Sequence, residues 1–160
     1  MNNYSYESLC ELLKTQNITD ANELYDFMKE WDITNDKYIF KLLEDIHNKY
    51  NGMNGTYYRN VIYEYKKNSI CYKIALIYWS PYSHSRVHYH PSGGCIMKVI
   101  KGYIDIDMYD DTDYSILQNI GTKLKVEGEI EYIKGRHGIH RISNDKNPDS
   151  AITIHIYISK

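Results

Sequence analysis

The apolar residues of this 160-residue chain change their spacing once, just after Asn51-Gly52, from a helical period to a period of two. That single change restricts the fold to a helical start followed by strands. Leu9, Leu12 and Leu13 share one face of a first helix. Asp20 with Glu23 has the N-cap and N3 chemistry of a capping box, which predicts a second helix carrying Leu24, Phe27, Met28 and Trp31. Asn35 is the expected cap of a third, with Ile39, Leu42, Leu43 and Ile46 on its apolar face. Such stripes read as core packing. The strands expected next are 57–66 and 70–80, joined by the turn Lys66-Lys67-Asn68-Ser69, then 95–100 and 103–109, joined at Lys101-Gly102. Shorter ones follow near 122–126, 129–133, 140–142 and 151–158. Many short strands with turns between them and no helices intervening predict an antiparallel sandwich or barrel. The expectation is one mainly β, α+β domain over 1–160, with a helical layer at 1–50 and the strands at 57–158.

Charge and cysteine content narrow the function classes. A net charge of −2 and scattered Lys and Arg give no basic stripe for nucleic acid or an anionic membrane. No apolar run approaches the ~20 residues that span a bilayer. The first residues lack a charged-then-apolar leader pattern. Cys10, Cys71 and Cys95 are an odd number without a CxxC pair, which argues against a disulfide scaffold and a zinc ribbon. A cytoplasmic protein is the expectation. The 18 tyrosines read as compositional bias.

In the last strand Ile152, Ile154, Ile156 and Ile158 alternate with Thr153, His155 and Tyr157, so the two sets lie on opposite faces. The polar set faces either water or a barrel cavity. The segment His88-Tyr89-His90 favours the cavity, because histidines at i and i+2 on a strand can bind one ion. It opens a longer pattern: four residues separate His90 from Cys95 and six more precede Gly102, while downstream His140 is followed by Asn144. This resembles the two metal-binding motifs of the cupin superfamily, with Cys95 where most cupins carry a Glu.

That substitution marks one cupin family, the cysteine dioxygenases, and the resemblance extends further. Tyr57-Tyr58-Arg59-Asn60 resembles the family's Tyr-x-Arg-Asn, and Trp79 lies nine residues before His88, as the family's Trp does. Gly138-Ile139-His140-Arg141 resembles Gly-x-His-Arg, and Thr153-Ile154-His155-Ile156-Tyr157 resembles Ser-x-His-x-Tyr. The match covers about 57–157. It implies a cupin-type barrel or jelly roll with one Fe(II) per chain on His88, His90 and His140.

The implied activity is the addition of both atoms of dioxygen to the sulfur of L-cysteine, giving cysteine sulfinic acid. Three neutral imidazoles leave Fe(II) its full charge and three open positions, unlike the commoner site with two His and one carboxylate. A substrate thiol and amine can fill two of them and dioxygen the third. Coordination to the cation deprotonates a thiol whose free pKa is about 8.5. Arg59 is the candidate for the substrate carboxylate, which a guanidinium grips through parallel hydrogen bonds, with Tyr57 assisting. Tyr157 is expected near the metal, its hydroxyl oriented by His155, whose other nitrogen Thr153 would hold. The resemblance further implies a Cys95–Tyr157 thioether cross-link, and it leans toward a monomer whose partners are a small thiol and dioxygen.

Two rival readings stand beside this one. A dioxygenase of another small thiol such as 3-mercaptopropionate is the nearer; relatives with that preference tend to lack the Arg and the Cys. A non-catalytic metal-binding cupin is the other, and it has no need of Arg59, His155 and Tyr157 together. His84 and His137 lie off the motif spacing and read as loop histidines, and His47 as solvated. Cys10 and Cys71 read as packing residues, and Asp105 with Asp107 as a solvated strand face. Thr153 replaces the family's usual Ser, and His137 stands where a Gly is often found. After Tyr157 the family has Ser-Pro-Pro, whereas this sequence reads Ile158-Ser159-Lys160, so the turn that braces the Tyr is expected to be missing.

Overall fold

A computed structural model of the chain describes residues 4–15, 21–110, 117–133 and 139–160. Helices α1 (Tyr6–Thr15), α2 (Asn22–Glu30) and α3 (Lys37–Tyr50) precede eight strands. These are β1 (Tyr57–Lys67), β2 (Ile70–Trp79), β3 (Cys95–Lys101), β4 (Tyr103–Tyr109), β5 (Asn119–Val126), β6 (Ile130–Ile133), β7 (Ile139–Ser143) and β8 (Ala151–Ser159). They form a five-stranded sheet ordered β1-β2-β8-β3-β6 and a three-stranded sheet ordered β5-β4-β7. Every pairing is antiparallel. The mainly β architecture with a helical N-terminal part is the one the periodicity predicts.

Helix caps differ in detail. Asp20 lies outside the described residues. Asp36, not Asn35, caps α3: its carboxylate accepts from the Tyr38 and Ile39 amides at 3.1 Å, while Asn35 ends a 3-10 turn over Ile33–Asn35. The other Asp36 oxygen accepts from the Tyr6 amide at 2.7 Å, so one carboxylate ties α1 to α3. An ionised acceptor at a helix start satisfies amides that would otherwise lack partners.

The two faces of β8 bury different things. Ile152, Ile154, Ile156 and Ile158 pack with Leu9, Leu13, Leu24, Met28 and Trp31 of the helical layer. Each such side chain taken from water contributes about 1.5–3 kcal/mol. On the opposite face a second core, between the sheets, holds Ile77, Trp79, Met97, Val99, Ile106 and Ile142. Thr153 and His155 are buried on that inner side. The helices therefore cover the outside of the large sheet, and its inner face carries buried polar groups beside this second apolar core.

One link between helices and sheet has no counterpart in the sequence reading. Lys98 of β3 is buried, and its ammonium donates to the Met28 and Trp31 carbonyls, both at 2.7 Å. Those carbonyls end α2, where a cation meets the negative end of the helix dipole.

Candidate functional site

Loop and strand bring three histidines together. His88 pairs with His140 of β7 as an antiparallel bridge, the His88 amide donating to the His140 carbonyl at 2.9 Å. His90 follows two residues on and is buried, as is His140. One ring nitrogen from each of His88, His90 and His140 lies within 4.8 Å of the others. The ring centroids of His90 and His140 are 4.1 Å apart.

The nitrogens of this group fit a metal. The His88 Nδ1 bonds to the Arg86 carbonyl at 2.7 Å, which leaves its Nε2 free for a ligand. The buried Nδ1 of His90 and both buried nitrogens of His140 have no hydrogen-bond partner among the described residues. Buried polar atoms left this way cost about 1–3 kcal/mol each, which an ion would offset. Burial and the neighbouring imidazoles push His90 down to about 4 and His140 down to about 2, so both rings are neutral donors at physiological pH. Three neutral nitrogens suit a borderline divalent ion such as Fe(II).

The cavity beside these histidines has a volume of about 420 Å³ and is lined in part by Tyr57, Arg59, His155 and Tyr157. Arg59 lies over the Tyr157 ring, its Cζ 4.7 Å from the centroid. Tyr57 stacks on Trp79 at 4.9 Å. The Tyr157 ring is 6.4 Å from that of His90, close to the three-histidine group. Burial pushes the Tyr157 hydroxyl up, with Arg59 opposing, so the phenol stays protonated.

Cys95 is fully buried and stands opposite Tyr157 in the β3–β8 ladder. Burial also pushes its thiol up. The chain reaches this position through Gly93 and Gly94. A side chain at Gly93 would collide with Ile158, and Gly94 has φ +92°. The same loop ties down β8 next to Tyr157: the Gly93 amide donates to the Ile158 carbonyl at 2.8 Å and the Ile158 amide to the Gly94 carbonyl at 3.0 Å. Ser92 Oγ bonds to the Lys160 amide and carbonyl. Tyr157 is thus braced from the loop that carries the metal motif, where the sequence comparison left it without a brace.

His155 behaves differently from the expectation. Thr153 Oγ1 does meet its Nε2, at 2.7 Å, but Nδ1 faces Cys95 Sγ at 3.7 Å and the ring lies nearly parallel to that of Tyr157, 5.6 Å away. The Trp79 indole donates to the same Thr153 oxygen at 2.9 Å. Thr153 Oγ1 thus accepts from the Trp79 indole and links it to the His155 imidazole. The run is Trp79, Thr153, His155, Cys95. Trp79 entered the sequence reading only as a motif position; its indole donor and the parity of Thr153 were the available signals.

Other residues fall outside the cavity or read differently. His84 is exposed, as a loop histidine should be, and His137 lies outside the described residues. His47 is half-buried, its Nδ1 without a partner among the described residues, and so not freely solvated. Asp107 is buried rather than solvated: it accepts from Arg141 at 3.0 and 3.1 Å and from Thr122 at 2.8 Å. A strand alternating Asp with Ile exposes its polar face only where no neighbouring strand supplies a partner.

The three-histidine group agrees with what comparison with known proteins finds, since the family model for cysteine dioxygenase type I matches residues 11–160. The chain belongs to the cysteine dioxygenase type I family. Cysteine dioxygenase type 1 of Danio rerio is 22% identical over 103 residues, covering 59% of this chain and 51% of the relative. The Homo sapiens protein is 22% identical over 102 residues, with the same coverage. The chain spans about half the length of these curated relatives. Among solved structures, a double-stranded β-helix protein of Klebsiella pneumoniae aligns with TM-score 0.51 and 19% identity, over 70% of this chain and 84% of that one. A cupin superfamily protein of Desulfitobacterium hafniense aligns with TM-score 0.50 and 12% identity, over 69% and 84%. These likenesses show the cupin fold. No helix among the described residues is long and apolar enough to cross a membrane.

Proposed function

We propose that the chain is an Fe(II)-dependent thiol dioxygenase, a single cupin domain that converts L-cysteine and dioxygen to cysteine sulfinic acid. One observation carries the reading: His88 and His90, grouped with His140, line the same cavity as Arg59 and Tyr157. A ligand-binding cupin needs the first of these and not the second.

His88, His90 and His140 would hold the metal. Fe(II), when bound, supplies a Lewis acid for the thiolate and the one-electron chemistry that dioxygen requires. Arg59 and Tyr57 take the substrate carboxylate at the mouth, so the sulfur points toward the histidines. The Tyr157 hydroxyl, held protonated by burial, can donate a hydrogen bond to the carboxylate or to the developing oxygenated sulfur. The apolar wall of Ile77, Trp79 and Ile142 limits water around the reacting sulfur. In the net reaction RSH and O₂ give RSO₂H, both oxygen atoms ending on sulfur.

Anaerobic Fe(II) loading followed by sulfinate detection tests this. L-cysteine should yield sulfinate with one dioxygen consumed per thiol. Iron binding without turnover of cysteine, 3-mercaptopropionate or cysteamine would leave the metal-binding cupin as the reading.

A further inference from the structure

The cavity holds more positive charge than cysteine can use. Besides Arg59 it is lined by Lys73 and Arg86, and no Asp or Glu is among its lining residues. Lys73 stands on β2 in register with Tyr157, on the inward parity it shares with Ile77 and Trp79. Its cross-strand neighbour on β1 is Glu64, whose carboxylate is engaged by Lys66 at 3.1 Å. None of the ion pairs among the described residues includes Arg59, Lys73 or Arg86. Arg86 is exposed, two residues before His88, and its carbonyl orients that ring.

A bound divalent ion would add two more positive charges beside these three. Cysteine offers a thiolate to the metal and one carboxylate to Arg59, and its amine adds no negative charge. Lys73, whose charge also acts on Glu64 across the strand pair, and Arg86 are then left with no anionic group of cysteine to meet them. Clefts lined by one sign of charge concentrate ligands of the other sign. A cavity of about 420 Å³ leaves room for a further substituent on a small thiol.

We infer that the cavity accepts a small thiol bearing a second anionic group, held by Lys73 with Arg86 at the rim, while Arg59 holds the first. The inference rests on reading the cavity as a thiol site. Lys73 is the main recognition residue, because it is half-buried beside Tyr157 whereas Arg86 is open to water.

Two probes differing by one carboxylate isolate the effect. 2-Mercaptosuccinate is 3-mercaptopropionate with a second carboxylate, and neither has an amine. Their binding to the Fe(II)-loaded chain is measured by calorimetry without oxygen, independently of turnover. The dicarboxylate should bind at least about fivefold more tightly, the yield of one partly screened charge pair. Lys73→Gln should bring the ratio of the two affinities close to one, and Lys73→Arg should restore it. Equal binding of the two probes, a ratio that Lys73→Gln leaves untouched, or no binding of either would overturn the inference. Cysteine turnover is scored separately. Sulfinate from cysteine without the dicarboxylate preference sinks the inference alone, and the preference without cysteine turnover sinks only the choice of cysteine as substrate.

Discussion

Cys95 and Tyr157 face each other directly across the β3–β8 ladder, both on the inner side of the barrel. Opposed residues in an antiparallel pair have Cβ atoms about 4.5–5.5 Å apart, so their side chains share the same small volume. Gly93 and Gly94 bring the β3 end to this register, and the amide bonds to Ile158 hold the β8 end there.

This placement leads to a prediction about covalent chemistry. With iron and dioxygen present, the Cys95 sulfur should join the Tyr157 ring. The S–H and a ring C–H are lost and one S–C bond forms, dioxygen taking up the two electrons and two protons. Intact mass after turnover should show a species lighter by about two hydrogens, and peptide mapping should link these residues. Cys95→Ala should abolish that species and retain iron and slower activity. Loss of iron in this variant would make Cys95 a ligand.

Arg59 should control selection for the carboxylate. Arg59 is exposed and rests on the Tyr157 ring, which places its guanidinium at the cavity. Arg59→Gln should cost about 2 kcal/mol in kcat/KM for cysteine, roughly 30-fold. Cysteamine, without a carboxylate, should lose little more in the variant than in the parent. Equal losses for both thiols would show that Arg59 acts through the fold or the metal.

Much of this was legible in the chain. Alternation placed Thr153, His155 and Tyr157 on one face because side chains on a strand leave no other choice. The spacing of His88 and His90 with Cys95 located the metal motif. What could not be read was who meets whom across strands. Asp107 looks solvated in β4 alone and becomes buried only through Arg141 of β7 and Thr122 of β5. The target of Lys98 lies some 70 residues earlier, at carbonyls with no sequence signature. Likewise the shared strand face of His155 and Tyr157 suggests that one orients the other, whereas pairing with β3 turns the His155 Nδ1 to Cys95.

Acid should unfold the metal-free protein early. His90 and His140 titrate in the fold near 4 and near 2, against about 6.5 in an unfolded chain. The unfolded state therefore binds more protons below pH 6.5, and stability is lost as pH falls from there toward 4. His90 alone accounts for on the order of 3 kcal/mol by pH 4. Thermal melts from pH 8 to pH 4 should show the midpoint falling below about 6.5. Bound metal, which occupies the nitrogens, should move that fall to lower pH. A midpoint independent of pH in this window would contradict the neutral, buried histidines.

The last prediction concerns how His140 is kept in place. Its neighbour Arg141 points to the outer face of the small sheet, where Asp107 stands directly across on β4. Asp107 Oδ2 accepts from Arg141 Nε and Nη2, Oδ1 accepts from Thr122, and Arg141 Nη2 also reaches Asp145 at 3.2 Å. This ties β5, β4 and β7 together one residue from a ring that has no hydrogen-bond partner on either nitrogen among the described residues. With no partner fixing the ring, its position depends on the strand. Asp107→Ala should therefore weaken metal affinity about tenfold, the lower end of what removal of a supporting group costs. Competition with a chelator measures this directly. Asp107→Asn should recover most of the affinity, because its amide oxygen can face Arg141 and its NH₂ can face Thr122. A lower melting temperature in Asp107→Ala with unchanged metal affinity would show that the pair supports the sheet and not the position of His140.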